Sequence, residues 1–299
     1  MKNKSLIVIE GPTCVGKTAL SIAIAKHYHT EIISSDSRQF FRELSIGTAK
    51  PSKEEMQHIP HHFIDNCSIQ DEYNVGIYET EALKKITELF SKKDTLLLVG
   101  GSGLYIDAIC KGFDELPEAD AAIRAELDTT FKEKGIKALQ ELLLKYDPAY
   151  YKTCDVSNPR RLMRAIEVSM ISGKPYSSLR SGEKKKRDFN TIKIGLDMDR
   201  KNLYEKINER MDDMMQKGLE QEARSVYAYK NHNALKTVGY KELFAYFEKA
   251  YTLPRAIELI KQNTRNFSKR QLTWFRRDKE IKWFSPEQEK EIIRLTDSL

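Results

Sequence analysis

One stretch of the sequence decides the fold, and it reads Gly11-Pro12-Thr13-Cys14-Val15-Gly16-Lys17-Thr18. It matches the pattern G-x-x-x-x-G-K-[ST], and the apolar runs at 6–9 and 19–25 predict a strand before it and a helix after it. The glycines let the loop turn tightly, so that its N–H groups and the helix N-terminus face one anion. Lys17 adds a full charge, and the hydroxyl of Thr18 can bind Mg²⁺. The stretch therefore predicts a site for a diphosphate or triphosphate and leaves its reaction open.

A carboxylate follows the next predicted strand. A short strand predicted at 31–35 leads into Asp36-Ser37-Arg38-Gln39. Strand, helix and strand at this spacing predict a βαβ unit with parallel strands, and ligands bind beyond the carboxyl ends of such strands. Asp36 is therefore expected beside the phosphate-binding loop. Asp is also a favoured residue at a helix N-cap, and the sequence leaves both roles open.

The third predicted strand ends in glycine. A helix predicted over 75–92 precedes a buried strand at 95–99, which leads into Gly100-Gly101-Ser102-Gly103. Glycines at a strand end let a ligand approach the backbone closely. Many P-loop ATPases carry an Asp that supports Mg²⁺ at such a place, so the glycines argue against a motor or switch ATPase. Asp197, in a further strand predicted over 190–199, is a candidate substitute.

The pattern becomes helical from about residue 117. Helices are predicted over 119–133, 136–145 and 158–172, with no strand candidate between 117 and 181. Further helices are predicted over 200–229 and 254–277. The predicted fold class is therefore α/β, with a parallel sheet core like that of the P-loop NTPases and an all-helical insertion domain.

The predicted domain limits follow from this change of pattern. The catalytic core with its C-terminal helices is expected over 1–115 and 188–299, and the helical insertion over 116–187. Within the insertion, Arg160, Arg161 and Arg164 lie within about one turn of a helix. They predict either a solvated face paired with Glu167 or a ridge that binds phosphates.

Positive charge is also concentrated later in the chain. The helix predicted over 254–277 is strongly basic, with aromatic residues between its cations. So many cations on one helix suit a sugar–phosphate backbone, whereas the aromatic residues are more typical of a core than of a base-stacking platform. The run Lys184-Lys185-Lys186-Arg187 is predicted to form a mobile basic loop.

The composition excludes several classes of protein. The chain has 299 residues, of which 40% are apolar and 31% charged, and a net charge of +6, which is typical of a soluble protein that tolerates an anionic partner. Its four cysteines are far apart, which suits a reducing cytosol better than disulfides or structural zinc. The adjacent His61 and His62 diverge and are expected to be structural. No stretch has the length of a membrane span and the N-terminus is unlike a signal peptide, so a cytoplasmic location is expected.

Several motifs, taken together and in order, resemble those of the bacterial tRNA dimethylallyltransferases, also called tRNA isopentenyltransferases. They extend over nearly the whole chain and comprise Gly11-Pro12-Thr13-x-x-Gly16-Lys17-Thr18, Asp36-Ser37-Arg38-Gln39, Ile46-Gly47-Thr48-Ala49-Lys50-Pro51, Gly100-Gly101-Ser102-Gly103-Leu104-Tyr105, Asn158-Pro159-Arg160-Arg161-x-x-Arg164-Ala165, Val238-Gly239-Tyr240-Lys241 and Lys269-Arg270-Gln271-Leu272-Thr273-Trp274-Phe275-Arg276. A phosphate-binding loop alone is shared by many functions, whereas the ordered set is highly specific.

The resemblance implies an activity. This family transfers a dimethylallyl group from dimethylallyl diphosphate to the exocyclic N6 amine of adenosine 37 in tRNAs that read codons beginning with U, with Mg²⁺ as cofactor. The loop Gly11–Thr18 would then grip the leaving diphosphate rather than drive ATP hydrolysis. The expected partners are the tRNA anticodon stem-loop and dimethylallyl diphosphate. A monomer without a membrane or an obligate protein partner is expected.

The resemblance also implies the roles of individual residues. Asp36 would bind and deprotonate the attacking amine, Thr13, Lys17 and Arg210 would stabilise the departing diphosphate, and Thr18 would bind Mg²⁺. The residues expected to bind the diphosphate are Gly11, Pro12, Thr13, Cys14, Val15, Gly16, Lys17 and Thr18. The residues expected to contact tRNA are Asp36, Ser37, Arg38, Gln39, Ser102, Arg124, Arg160, Arg161, Leu162, Met163, Arg164, Lys236, Thr237, Val238, Gly239, Tyr240 and Lys241.

Three other functions are compatible with these residues. A small-molecule kinase would also combine a phosphate-binding loop, an α/β core and a helical lid. A prenyltransferase acting on free AMP or ATP would use the same chemistry on a smaller acceptor. A non-catalytic RNA-binding protein would retain the loop without turnover.

Overall fold

The computed structural model describes residues 4–298. Its strands are β1 (Ser5–Glu10), β2 (Ile32–Ser34), β3 (His61–His62), β4 (Thr95–Gly100), β5 (Asn190–Leu196) and β6 (Lys282–Phe284). Its α-helices are α1 (Lys17–His27), α2 (Lys53–Met56), α3 (Val75–Phe90), α4 (Gly103–Lys111), α5 (Ala121–Tyr146), α6 (Pro148–Tyr151), α7 (Pro159–Ser172), α8 (Arg200–Gln216), α9 (Leu219–Ser225), α10 (Tyr240–Phe247), α11 (Leu253–Phe275) and α12 (Glu289–Asp297).

The strands form one parallel sheet in the order β3-β2-β4-β1-β5-β6. The predicted α/β class and its four central strands are confirmed. The sequence analysis missed β3 and β6, which are edge strands of two and three residues and are too short to show a pattern. Residues 6–9 are fully or almost fully buried because β1 lies at the centre of the sheet, which explains their unbroken apolar run.

The sheet order brings the glycine-rich segments together. Strands β1 and β4 pair in register from Ser5 with Thr95 to Glu10 with Gly100, so both end at the same edge of the sheet. A Cβ at Gly11 would lie 2.6 Å from the carbonyl oxygen of Leu196, and one at Gly100 would overlap Ser35. Both positions therefore require glycine for packing as well as for any ligand.

Most of the predicted helices are confirmed, including those at 75–92, 158–172 and 254–277. The prediction of one helix over 200–229 is wrong. Helix α8 ends at Gln216, and Gly218 adopts a φ of 99° before α9 begins at Leu219. A left-handed residue cannot continue an α-helix, so the chain turns here and directs α9 toward the loop after β2.

The chain divides into two compact units: a core unit of the residues up to Cys110 and from Lys186 onward, and a helical unit of Lys111–Lys185. The helical unit has its own apolar core, which includes Leu127, Leu143 and Leu162. Its long helix α5 is interrupted at Gly135, where φ is 72°, so the two helices predicted here meet at a kink. Among residues 4–298, no helix is long and apolar enough to cross a membrane.

The predicted mobile basic loop is wrong at its last residue. Arg187 forms an ion pair with Glu79 at 2.8 Å and donates hydrogen bonds to the carbonyl oxygens of Ala108 and Ile109. Its side chain is 12% exposed, so the guanidinium anchors the chain against the end of α4.

Candidate active site

An open cleft of about 1930 Å³ lies at the carboxyl edge of the sheet in the core unit. Its walls are the loop 13–18, the turn 36–39, the segments 45–51 and 101–105, and residues of α8 and α11. The cleft therefore brings together most of the core-unit residues that the sequence analysis selected.

The phosphate-binding loop surrounds its own lysine. The Nζ of Lys17 donates to the carbonyl oxygens of Gly11 at 3.0 Å and Pro12 at 2.7 Å. Gly16 has a φ of 100° and Cys14 a φ of 67°, which turn the backbone tightly before α1 begins. Arg210 of α8 reaches the Thr13 hydroxyl at 3.5 Å, so a second cation stands over the loop. The arrangement is suited to holding a multiply charged anion.

Burial shifts the pKa values of two charged groups of the cleft in opposite directions. Burial lowers the pKa of Lys17 to about 8, against the attraction of Asp36 and with the added repulsion of Arg210. Burial also raises the pKa of Asp36, although the N–H of Arg38 and the charges of Lys17, Arg38 and Arg210 oppose the shift. Removal of water disfavours the charged form of either group, which explains the opposite signs.

Asp36 lies in a turn beyond β2, where its Oδ1 accepts from the N–H of Arg38 at 3.2 Å. The Oγ of Ser102 accepts from the N–H of Ser37 at 3.1 Å and lies 3.0 Å from the Ser37 hydroxyl. This bond ties the turn to the glycine-rich end of β4. Of the two roles left open for Asp36, the structure favours the one on the rim beside the phosphate-binding loop.

Two neighbours of Asp36 are held by the protein. The guanidinium of Arg38 donates to the carbonyl oxygens of Asn233 at 3.0 Å and Ala234 at 3.1 Å. Gln39 donates through Nε2 to the carbonyl oxygens of Thr48 and Ala49. Both side chains therefore position the surrounding loops, whatever further contact they make.

Gln271 of α11 was missed as a site residue. Its Oε1 accepts from the N–H of Thr13 at 2.9 Å, and its Nε2 donates to the carbonyl oxygen of Gly101 at 2.8 Å. The side chain is 6% exposed, and a Cβ at Gly101 would overlap it. One amide therefore joins the phosphate-binding loop to the end of β4. No local pattern predicts this bond, and Gln271 is marked only by its place in a basic motif.

Glu222 of α9 is a second residue that the sequence did not reveal. Its carboxylate accepts from the N–H groups of three consecutive residues, Ser45, Ile46 and Gly47, at 2.8–2.9 Å. The hydroxyl of Tyr240 donates to the same carboxylate at 2.6 Å. The carboxylate thereby fixes the loop that forms one wall of the cleft.

The segment 236–241 meets the cleft with all but one of its residues. Lys236, Thr237, Val238, Gly239 and Lys241 line it. Tyr240 is fully buried and packs over Gly47, where a Cβ would lie 2.7 Å from the ring. That side chain therefore supports the wall from behind, and the tRNA contact expected at this position stays a prediction.

Two candidate residues of the helical unit pair with one buried carboxylate. Glu167 is 1% exposed and forms ion pairs with Arg124 at 2.8 Å and Arg164 at 2.7 Å. Arg164 also donates to the carbonyl oxygen of Pro117. Of the two alternatives for these arginines, pairing with Glu167 is observed for Arg164.

The other candidates on α7 differ in exposure. Arg160 and Arg161 are exposed on the surface of the helical unit, and Met163 is partly buried. Leu162 is fully buried in the core of that unit, and a contact between its side chain and tRNA is excluded. The family motif therefore contains structural as well as accessible residues.

Asp197 and the two adjacent histidines all have protein partners. Asp197 was a candidate to support Mg²⁺. Its carboxylate instead accepts a hydrogen bond from the Arg276 guanidinium at 2.7 Å and forms an ion pair with it. His62 pairs with Glu31 at 2.7 Å, and His61 contacts the carbonyl oxygen of Ile59 at 2.8 Å. Residues 4–298 contain no group of three or more His, Cys, Asp or Glu side chains that could hold a metal ion.

Comparison with known proteins places these features in one family. The model of the family described as IPP transferase matches residues 39–278. The chain is 56% identical over 287 residues to the tRNA dimethylallyltransferase of Flavobacterium johnsoniae, covering 94% of this chain and 93% of that protein. It is 50% identical over 293 residues to tRNA dimethylallyltransferase 1 of Bacteroides fragilis, covering 98% of this chain and 97% of that protein.

Solved structures agree with the sequence comparison. The tRNA isopentenylpyrophosphate transferase of Bacillus halodurans has a TM-score of 0.74 at 36% identity, covering 99% of this chain and 96% of that one. A eukaryotic dimethylallyltransferase described as acting on tRNA has a TM-score of 0.76 at 27% identity, covering 91% of this chain and 70% of that one. The sheet, the cleft and the ordered motifs thus occur in a chain that belongs to the IPP transferase family.

Proposed function

We propose that this chain transfers a dimethylallyl group from dimethylallyl diphosphate to the N6 amine of adenosine 37 of tRNA. One observation carries the proposal beyond family membership: Asp36 lies in the same cleft as an anion-binding loop. The two sides are close enough for Lys17 and Asp36 to influence each other's pKa. Prenyl transfer needs this combination, a base on one side and an anion site on the other.

The leaving-group side would stabilise the diphosphate. As the N6 nitrogen forms a bond to C1 of the allyl group, the C1–O bond breaks and its electron pair leaves with the diphosphate. Lys17 and Arg210 neutralise the added charge, while Thr13 and the N–H groups of the loop donate hydrogen bonds. Lys17 already contacts two carbonyl oxygens of its own loop, so it is placed to turn toward a bound anion.

The acceptor side would remove the proton. An exocyclic amine on an aromatic ring is a weak nucleophile, so a base that takes the N6 proton as the new bond forms accelerates the attack. The raised pKa of Asp36 makes its carboxylate a stronger base than an ordinary Asp. The target base must leave its stack to reach this residue.

Mg²⁺ fits the loop through one residue. Thr18 is exposed at the start of α1, and Mg²⁺ commonly combines a single protein oxygen with substrate phosphates and water. Such an ion would supply positive charge to the diphosphate. The other diphosphate contacts would come from Gly11–Lys17 of the same loop.

The tRNA would contact the cleft wall at Ser37, Ser102 and the accessible part of 236–241, and the helical unit at Arg160 and Arg161. Arg124 and Arg164 would do so from their pairs with Glu167. The partner is the anticodon stem-loop, and the compartment is the cytoplasm, where tRNA is abundant.

The test is incubation of the purified protein with Mg²⁺, labelled dimethylallyl diphosphate and tRNA that carries adenosine 37, followed by mass spectrometry of the nucleosides. We expect one prenylated adenosine per tRNA and little product from free AMP. Product on AMP alone would favour the free-nucleotide transferase. ATP consumption that depends on a small acceptor, without prenyl transfer, would favour a kinase.

A further inference from the structure

Exposed apolar side chains gather at the cleft. Among the described residues, six large hydrophobic side chains are strongly exposed, and three of them line the cleft: Leu104 at 43%, Phe267 at 39% and Trp274 at 36%. The sequence analysis placed the aromatic residues of α11 in a core, and this is wrong for Phe267 and Trp274. Water contact at these sites costs free energy, so their clustering at one site suggests a binding surface.

The Trp274 ring is held in a defined orientation. Its Nε1 donates to Oδ2 of Asp107 at 3.0 Å. A Cβ at Gly103 would overlap the indole, so the ring lies directly against the backbone at the start of α4. An exposed ring fixed on two sides is already ordered, and therefore loses little entropy when a flat ligand stacks on it.

The aromatic surface is continuous with the Asp36 side of the cleft. Gly103 follows Ser102, which is hydrogen-bonded to Ser37 beside Asp36. Phe267 precedes Trp274 by seven residues and therefore lies on the same face of α11. Both rings therefore line the cleft that contains Asp36, and Trp274 lies against the segment that is hydrogen-bonded to the Asp36 turn.

Cations accompany both rings. The guanidinium of Arg270 lies 5.9 Å from the centre of the Phe267 ring, and that of Arg277 lies 6.0 Å from the centre of the Trp274 ring. Aromatic rings and guanidinium planes stack on unpaired bases, while the positive charge attracts the neighbouring phosphates. The dimethylallyl group offers only one small alkene face and carries no charge of its own, so a surface that combines rings with guanidinium groups suits nucleotides better.

We propose that Leu104, Phe267 and Trp274 form a stacking platform for the unpaired bases next to the adenine that enters the cleft. The proposal rests on the function proposed above. When one base leaves a single-stranded stack, its neighbours lose a stacking partner, and a fixed aromatic surface replaces it. The platform would thereby offset part of the free energy needed to extrude the adenine.

Fluorescence tests the platform directly, because the chain has two tryptophans, Trp274 and Trp283. In a Trp283→Phe background, the anticodon stem-loop should quench Trp274, and dimethylallyl diphosphate alone should not. An abasic nucleotide on one side of the target adenosine should abolish the quenching. Quenching by both flanking abasic RNAs that is as strong as by the intact RNA, no quenching by intact RNA, or quenching by dimethylallyl diphosphate alone would each overturn the proposal.

Kinetics provide a second test with a matched control. Phe267→Ala and Trp274→Ala should each raise the KM for tRNA about tenfold, the effect of losing one stacked base, and leave the KM for dimethylallyl diphosphate unchanged. Trp274→Phe should restore most of the affinity. Tyr229→Ala removes a ring that is equally exposed at 36% but lies outside the cleft lining, and should change neither KM.

The two proposals fail in different ways. If the stem-loop quenches Trp274 but the wild-type protein does not prenylate the stem-loop, the proposed function is contradicted and the platform proposal stands. If the wild-type protein prenylates tRNA but Phe267→Ala and Trp274→Ala leave the KM for tRNA unchanged, as Tyr229→Ala does, the platform proposal is contradicted and the proposed function stands.

Discussion

The two sides of the cleft are built from different kinds of groups. On the leaving-group side, Lys17 lies within the loop 11–18 and Arg210 reaches the Thr13 hydroxyl, and backbone N–H groups of the loop are expected to add further donors to an anion. On the acceptor side, one carboxylate, Asp36, stands in a turn tied to Ser102. The same burial lowers the pKa of Lys17 and raises that of Asp36.

This difference indicates how each side responds to damage. An anion site built from many donors loses only part of its strength when one donor is removed. A base that consists of one group has no substitute. We therefore expect the acceptor side to be the more sensitive, and the following variants test that order.

The largest effect is expected from Asp36→Asn. An amide cannot accept the N6 proton, so kcat should fall by about 10²–10⁴, while the Kd for tRNA changes little. Single-turnover rates with saturating tRNA measure the change. Asp213→Asn, which alters another carboxylate of the cleft lining, should keep most of the activity. Full activity of Asp36→Asn would exclude it as the base.

Lys17→Met should have the next largest effect. It removes one full charge from the leaving-group side but leaves the backbone donors, so kcat should fall by about 10²–10³. Lys26→Met on the same helix serves as the control, since Lys26 pairs with Gln57 away from the loop. A greater loss in Lys17→Met than in Asp36→Asn would reverse the expected order.

Gln271→Leu should act mainly on the leaving-group side. The leucine would free the Thr13 N–H and the Gly101 carbonyl from their shared partner, and the loop would lose its fixed position. The KM for dimethylallyl diphosphate should rise about tenfold, in line with one buried hydrogen-bonding group left unsatisfied. The KM for tRNA should stay the same, which a general loss of stability would not produce. Gln262→Leu, at an exposed position of α11, should change neither value.

The smallest effect concerns stability and pH. The pKa of Asp36 is raised above its ordinary value of 3.8, so the folded state binds more protons than the unfolded state between the two values. Ionised Asp36 therefore costs stability at neutral pH, and Asp36→Asn should raise the melting temperature at pH 7 by about 1–3 °C. The difference should vanish below pH 3.8. A lower melting temperature of the variant at pH 7 would contradict the raised pKa.

How far the sequence predicts these two sides depends on the range of the contacts. The loop and its flanking elements are local in sequence, so pattern and spacing were sufficient. The bond between Thr13 and Gln271 joins positions 258 residues apart, and no local pattern records it. The kink at Gly218 was missed because a single glycine in an amphipathic segment also occurs within helices.

The family resemblance indicated which segments to examine, but it did not indicate which side chains in them are exposed. Leu162 and Tyr240 belong to motifs whose other members are accessible, yet both side chains are fully buried. Phe267 and Trp274 show the opposite error. Ile260, which is buried, precedes Phe267 by seven residues and shares its face of α11, so helical periodicity could not show that the two rings line an open cleft.

The contact between Glu222 and the loop after β2 also allows the opening of this wall of the cleft to be measured by amide hydrogen exchange. The amide hydrogens of 45–47 are bonded to a carboxylate from α9, so they can exchange with deuterium only when α9 and the loop separate. Their exchange rate therefore measures how often the cleft wall opens. If substrates close the wall, these three amides should slow together, while the amides of the exposed residues 53 and 54 keep their rate.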